Sequence, residues 1–279
     1  MKIEVLQEQL LSGLSIVSRA VATRAQLPVL SHILIEASNE GLTLSATDLE
    51  IGIKVKVAAK VLEEGRVAVP AKMFGEFLSS LNPGKVEMSL EKETLLLSAP
   101  GYKGKFQTIG AEEFPAIAEI AEKAEICSVE ASVLSSAVER VVFASAKDSL
   151  RPVLTGVLFE FGKNKIRMVA TDGFRLAIED LKVESSVEQL NLLVPARVVM
   201  EVVRLAGEGK ITIGNLVDTN QIYFVVGEVQ VVSQLLSGSF PDYGKILPKE
   251  FTTEISVNKD ELLQAIKATH IFARDNSNM

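Results

Sequence analysis

Apolar residues recur along this chain with two alternating periods. Leu6, Leu10, Leu14, Val17 and Val21 step by 4, 4, 3 and 4, which places them on one face of a helix. Ile33–Ala37, Leu42–Ala46 and Ile51–Val57 then read as short alternating segments, and the last has the apolar–polar pattern of a half-buried strand. Val69-Pro70-Ala71 opens a second helix, since proline suits the first helical position, and Asn82-Pro83-Gly84 stops it after about Leu81. A hairpin pairing Val86–Leu90 with Thr94–Ser98 follows.

The same order then returns. Leu134, Val138 and Val141 occupy one helical face within Val129–Ala146, and Val194-Pro195-Ala196 opens a helix that stops at Gly207-Glu208-Gly209. Ile211–Ile213 with Ile222–Val226 forms the next hairpin. Short motifs keep the same spacing. Pro28-Val29-Leu30 recurs as Pro152-Val153-Leu154 and Ala46-Thr47-Asp48 as Ala170-Thr171-Asp172, each at an offset of 124; Val-Pro-Ala recurs at 125 and Phe-Pro (Phe114, Phe240) at 126. That period exceeds the roughly 20–50 residues of a solenoid repeat and is domain-sized. Helix, strands, helix, strands in each copy points to an α+β fold with mainly antiparallel sheets. Ile255–Ile266 resembles the first strand and helix of a third copy. The expected divisions are 1–120, 121–248 and an incomplete third domain at 249–279, with boundaries near the Glu/Ala-rich stretch 118–126 and near Pro248-Lys249-Glu250.

Composition narrows the function classes. The 279 residues are 47% hydrophobic and 23% charged, as in a packed globular chain. One cysteine cannot form an internal disulfide, which suits an intracellular protein. Glu4 and Glu8 interrupt what a signal peptide would need as an apolar stretch, and Pro195, Arg197 and Glu201 break the longest apolar run. His-Glu-x-x-His, paired cysteines and a phosphate-cradling glycine loop are all missing, so no metal or cofactor is expected. His32, His270 and Cys127 read as structural or surface residues. Asp48 and Asp172 tempt as catalytic carboxylates, yet they occupy equivalent positions in the two copies, and a repeated structural role accounts for both.

The net charge of −7 is unevenly spread. The expected helices 7–24, 70–82, 130–147, 195–206 and 258–274 together carry +3, which leaves −10 for the rest. Helices lining one surface and sheets the other would make a mildly basic lining and an acidic exterior.

Leu27-Pro-Val-Leu30, Ala46-Thr-Asp-Leu-Glu50, the two Val-Pro-Ala elements, Val169-Ala-Thr-Asp-Gly-Phe-Arg-Leu-Ala177 and Gly238-Ser-Phe-Pro-Asp-Tyr243 resemble the bacterial sliding clamp, the beta subunit of DNA polymerase III, along the whole chain. The resemblance implies tandem DNA-clamp domains, each with two helices packed on antiparallel sheets, in a homodimeric ring with helices inside. It also implies a cytoplasmic, non-catalytic processivity factor that encircles double-stranded DNA without reading its sequence. A few cations near the phosphates would suffice for that task. By resemblance those are Arg24, Lys72, Lys147, Arg151 and Arg197; Ser79 and Ser80 stand where the family has a further basic residue.

The family's other site is an apolar cleft for short Gln-Leu-Phe-type peptides of the polymerase, the clamp loader and other partners. It maps to Leu154, Thr171, Gly173, Phe174, Arg175, Leu176, Pro241, Lys245 and Ile246. Leu154, Leu176 and Ile246 would form walls, with Thr171 and Arg175 orienting polar groups of the peptide. Relative to the family the chain reads as C-terminally truncated. That implies an impaired two-chain ring and an alternative role as a partner-peptide-binding fragment without DNA function.

Overall fold

A computed structural model of the chain describes residues 1–22, 27–120, 124–148, 150–248 and 250–274. It separates into two units, 1–240 and 241–279. In the first unit, copy one runs β1 (Lys2–Leu6), α1 (Gln7–Val17), β2 (His32–Ser38), β3 (Gly41–Thr47), β4 (Ile51–Val57), β5 (Ala59–Glu63), β6 (Gly65–Pro70), α2 (Ala71–Ser79), β7 (Lys85–Glu91), β8 (Thr94–Ala99) and β9 (Tyr102–Gln107). Copy two runs β10 (Glu125–Glu130), α3 (Ala131–Val141), β11 (Gly156–Gly162), β12 (Lys165–Thr171), β13 (Leu176–Lys182), β14 (Gln189–Pro195), α4 (Ala196–Leu205), β15 (Lys210–Leu216), β16 (Gln221–Val226) and β17 (Val229–Gln234).

Among the described residues all strand pairs are antiparallel and lie in three sheets, ordered β5-β1-β7-β8-β9, β10-β15-β16-β17-β4-β3-β2-β6 and β13-β12-β11-β14. The helices bury one face each against these sheets: Leu10, Gly13, Leu14 and Val17 of α1, and Leu134, Ala137, Val138 and Val141 of α3. Gly13 lets α1 sit close, because a Cβ there would stand 2.6 Å from a methyl of Val57 in β4. The eight-stranded sheet belongs to both copies, since β17 of copy two pairs with β4 of copy one. Periodicity within one copy carries no sign of that joint.

Four expectations need correction. The first helix starts at Gln7, because Lys2–Leu6 forms β1 between β5 and β7; Leu6 is the half-exposed cap, and Val21 lies beyond the helical turns. Pro70 and Pro195 are not first helical residues. Each ends a sheet-edge strand in extended conformation and caps the following helix, positions that need no N–H from the ring.

The third correction concerns the second unit. Its helix α5 (Lys259–Ala273) is capped by Asn258, whose side chain accepts from the N–H groups of Asp260 (2.9 Å) and Glu261 (3.2 Å). No strand precedes it among the described residues: β1 and β10 have β7 and β15 to pair with, and 250–258 has no ladder partner. Leu262, Leu263, Ile266 and Phe272 are exposed.

The fourth concerns charge. With their observed ends, α1 carries Glu8 alone, α4 carries Arg197 and Arg204 against Glu201, and the charges of α2, α3 and α5 balance. The helices are neutral in sum, so the basic lining cannot rest on them. Among the described residues no helix is long and apolar enough to cross a membrane.

Candidate partner cleft and nucleic-acid interface

The β12–β13 turn in copy two is built by two side chains. The Thr171 hydroxyl donates to the Arg175 carbonyl (2.7 Å) and accepts from the Gly173 N–H (3.1 Å). Asp172 Oδ1 accepts from the N–H groups of Phe174 (2.9 Å) and Arg175 (3.0 Å), while Oδ2 pairs with Arg175 Nε (2.9 Å). Those backbone donors, with the guanidinium beside them, hold the Asp172 carboxyl below its ordinary range.

Copy one repeats the design: Thr47 bonds the Ile51 carbonyl and the Leu49 N–H, and Asp48 accepts from Glu50 and Ile51. The two aspartates are turn-builders, as their equivalence suggested. The remaining oxygen of Asp48 takes Arg197 Nη1 at 2.8 Å.

Beside the copy-two turn lies a cleft of about 430 Å³. Of the residues proposed for a peptide cleft, Leu154, Gly173, Phe174 and Arg175 line it. Leu154 is buried at its base, and Phe174 is 99% exposed at its rim. Arg175 also stacks over Phe143, 5.6 Å from the ring centre. Thr171 and Leu176 do not line it. Thr171 is buried, with its hydroxyl donating and accepting within the turn, so it shapes the loop. Pro241, Lys245 and Ile246 belong to the second unit, where all three are exposed and Lys245 pairs with Asp242 at 2.9 Å.

Two residues expected on DNA, Lys147 and Arg151, sit on this same cleft with Leu150, which is 88% exposed. Leu150 in the cleft wall and Phe143 beneath the Arg175 guanidinium were not anticipated from the sequence. The available signal was a leucine beside the Pro152-Val153-Leu154 repeat element, with no periodic helix or strand to bury it. Lys147 and Arg197 also line a neighbouring hollow of about 840 Å³ whose wall includes Pro152, Met200 and Leu236. Lys147, Arg151 and Arg197 are thus linked through adjoining hollows, with Arg197 held by Asp48. Lys72 is exposed on α2, outside both hollows. Arg24 lies outside the described residues.

Cys127 is buried in β10, where burial pushes its thiol up to about 12, so it stays protonated and unreactive. His32 Nδ1 donates to the Pro28 carbonyl at 3.0 Å, a local structural bond.

Residues 1–118 match the N-terminal domain of the DNA polymerase III beta subunit, and residues 128–242 match its central domain. The curated beta sliding clamp of Synechococcus elongatus is 30% identical over 289 residues, covering 100% of this chain and 76% of that protein. Among solved structures, the Bacillus subtilis DNA polymerase sliding clamp superimposes with a TM-score of 0.92 at 25% identity, over 98% of this chain and 74% of that one. A Pseudomonas aeruginosa sliding clamp bound to griselimycin gives 0.89 at 31% identity, over 97% and 74%. With two clamp-domain matches in tandem and similarity running through the whole chain, this protein belongs to the bacterial beta sliding clamp family, the beta subunits of DNA polymerase III.

Proposed function

We propose that this chain works as a DNA sliding clamp, a non-catalytic cytoplasmic subunit that holds the replicative polymerase on duplex DNA and docks partner peptides. Its clamp domains are assigned to 1–120 and 121–248, with 249–279 beginning a third. The observation that carries the reading is the copy-two cleft. A turn bonded by Thr171 and Asp172 carries Phe174 and Arg175, which line one cleft with the buried Leu154 and the exposed Leu150. An apolar floor with a guanidinium at the rim suits a short peptide that inserts apolar side chains and leaves its polar groups oriented. Copy one has Leu49 and Glu50 where copy two has Gly173 and Phe174, so the motif supplies one cleft per pair of copies.

For the duplex, Lys72, Lys147, Arg151 and Arg197 are the assigned phosphate contacts, joined by Arg24. Non-specific encirclement asks only for a few long, mobile cations. Fluorescence anisotropy with a labelled Gln-Leu-Phe peptide tests the cleft. Saturable binding weakened about tenfold by Phe174→Ala supports it, and equal binding by both proteins rejects it. The electrical neutrality of the helices favours a second reading, a peptide-binding chain without DNA function, which duplex titration separates from the first.

A further inference from the structure

The hollow beside the partner cleft lies at the seam between the two copies. Its volume of about 840 Å³ falls in the range of pockets that take small ligands. Separate stretches of chain wall it: Glu50 from the β3–β4 turn of copy one, and from copy two the residues around Phe143 and Lys147, Pro152 with Thr155, the first turns of α4, and the chain leaving β17 at Gln234–Leu236.

The fold fixes these walls. Leu236 is seated on Gly156, where a Cβ would stand 2.7 Å from its Cδ1. The N–H groups of Ala146, Gln234, Leu235 and Leu236 bond the carbonyls of Leu154, Glu50, Asn220 and Leu193 at 2.8, 3.0, 3.1 and 2.9 Å. With those donors taken, an extended peptide finds little main chain to pair with, and recognition falls to side chains.

The side chains are of two kinds. Val142, Phe143, Pro152, Met200, Leu235 and Leu236 give apolar surface left partly open to solvent. Lys147 and Arg197 give positive charge, with Glu50 as the acid among the lining residues. Arg197 holds Asp48 through Nη1 at 2.8 Å, whereas Lys147 is exposed and has no ion-pair partner among the described residues. Apolar walls beside an unpaired ammonium complement a ligand with an apolar body and one anionic head.

We propose that this hollow binds a small amphipathic carboxylate, its body against Phe143, Met200 and Leu236 and its head on Lys147. Burial of the body supplies most of the affinity, and the lysine sets the preference for an anion. The hollow adjoins the partner cleft through Ser145, Ala146 and Lys147, but Leu154, Phe174 and Arg175 line the cleft alone. Binding here is measured without DNA or peptide, so the clamp reading and this site can fail separately.

Amide NMR of the isotope-labelled full chain, titrated with biphenyl-4-carboxylate, tests the proposal. Saturable shifts are expected at Ala146, Lys147, Arg197, Met200 and Leu235. Biphenyl-4-carboxamide keeps the body without the charge and is expected to bind about fivefold more weakly. Lys147→Glu turns an attraction into a repulsion, so it is expected to weaken the carboxylate about tenfold and leave the carboxamide unchanged; Lys147→Arg is expected to retain wild-type affinity. Met200→Glu places a charge in the apolar wall and is expected to weaken both compounds about tenfold. Circular-dichroism melting checks its fold, and if that variant unfolds, the exposed Lys147 variants and the carboxamide decide. The proposal is overturned if nothing saturates by about 10 mM, well beyond millimolar affinity. Shifts centred on Leu154, Gly173 and Phe174 or confined to α5 also overturn it, as does carboxylate binding that Lys147→Glu leaves undiminished or that the carboxamide equals.

Discussion

Val231 in β17 lies directly opposite Ile53 in β4, and neither has measurable solvent exposure. One belongs to the second copy and the other to the first, so this pair fuses the two repeats through a shared ladder and a shared apolar layer. Two ion pairs span the same joint, Arg197–Asp48 at 2.8 Å and Arg19–Glu201 at 3.1 Å. With both arginines about half exposed, each is worth roughly 0–1 kcal/mol; the buried ladder dominates.

Truncating that pair is therefore expected to destabilise both copies together. Ile53→Ala should cost about 2–5 kcal/mol, the range for emptying a buried aliphatic site. Urea unfolding followed by probes in each copy should give coincident, shifted transitions. A shift confined to copy one would show that the joint does not couple them.

Leu49 has φ +77 in the turn where copy two places Gly173 at φ +92. A leucine pays roughly 1–2 kcal/mol in that left-handed region, and it gains little by burial because it is 52% exposed. Leu49→Gly is expected to raise stability by about 0.5–1 kcal/mol after glycine's own entropic cost. Thermal unfolding measures it, and a lowered midpoint would contradict the strain.

Asp172 has a depressed folded-state pKa, chiefly from the Phe174 and Arg175 amides, so its contribution is present above the ordinary carboxylate range near 4. That contribution fades as pH falls through the folded value. Asp172→Ala should melt earlier than wild type at pH 6, and the gap should close on acidification. Melting curves from pH 6 to pH 2 follow this, and a gap that widens toward acid would reverse the assignment.

Phe174 is almost fully exposed, so its removal should leave folding unchanged and act on the cleft alone. Phe174→Ala is expected to weaken a Gln-Leu-Phe peptide about tenfold, near 1.4 kcal/mol. Calorimetric titration reads that loss directly; undiminished affinity would place the peptide elsewhere.

How much of this was legible beforehand varies by the range of the interaction. Helix faces, the hairpins and the repeat were readable because they are local: Leu10, Leu14 and Val17 do line the buried face of α1, and Ile51–Val57 is β4 to the residue. The equivalence of Asp48 and Asp172 already indicated paired turns. The β17·β4 joint was not readable, because strand pairing across copies depends on edges that meet only after each copy has folded. The strand expected before α5 failed for a related reason: alternation at 255–257 has no effect without a neighbouring ladder. Of the nine residues that the resemblance assigned to a cleft, Leu154, Gly173, Phe174 and Arg175 line one hollow, but residue types could not show that the Thr171 hydroxyl bonds within its own turn or that Lys147 and Arg151 share the wall.

The clamp reading stands most directly on how the chain meets duplex DNA. Two unrelated duplexes of equal length, titrated across a range of salt concentrations, provide the measurement. Equal Kd values are expected for both, with log K falling against log salt at a slope of about −0.9 per contacted phosphate, so about −4.5 for the five assigned cations Arg24, Lys72, Lys147, Arg151 and Arg197. Replacing Lys147 and Arg151 by alanine should reduce that slope by about 2. Binding that differs more than about tenfold between the sequences, or that ignores salt, would contradict the account.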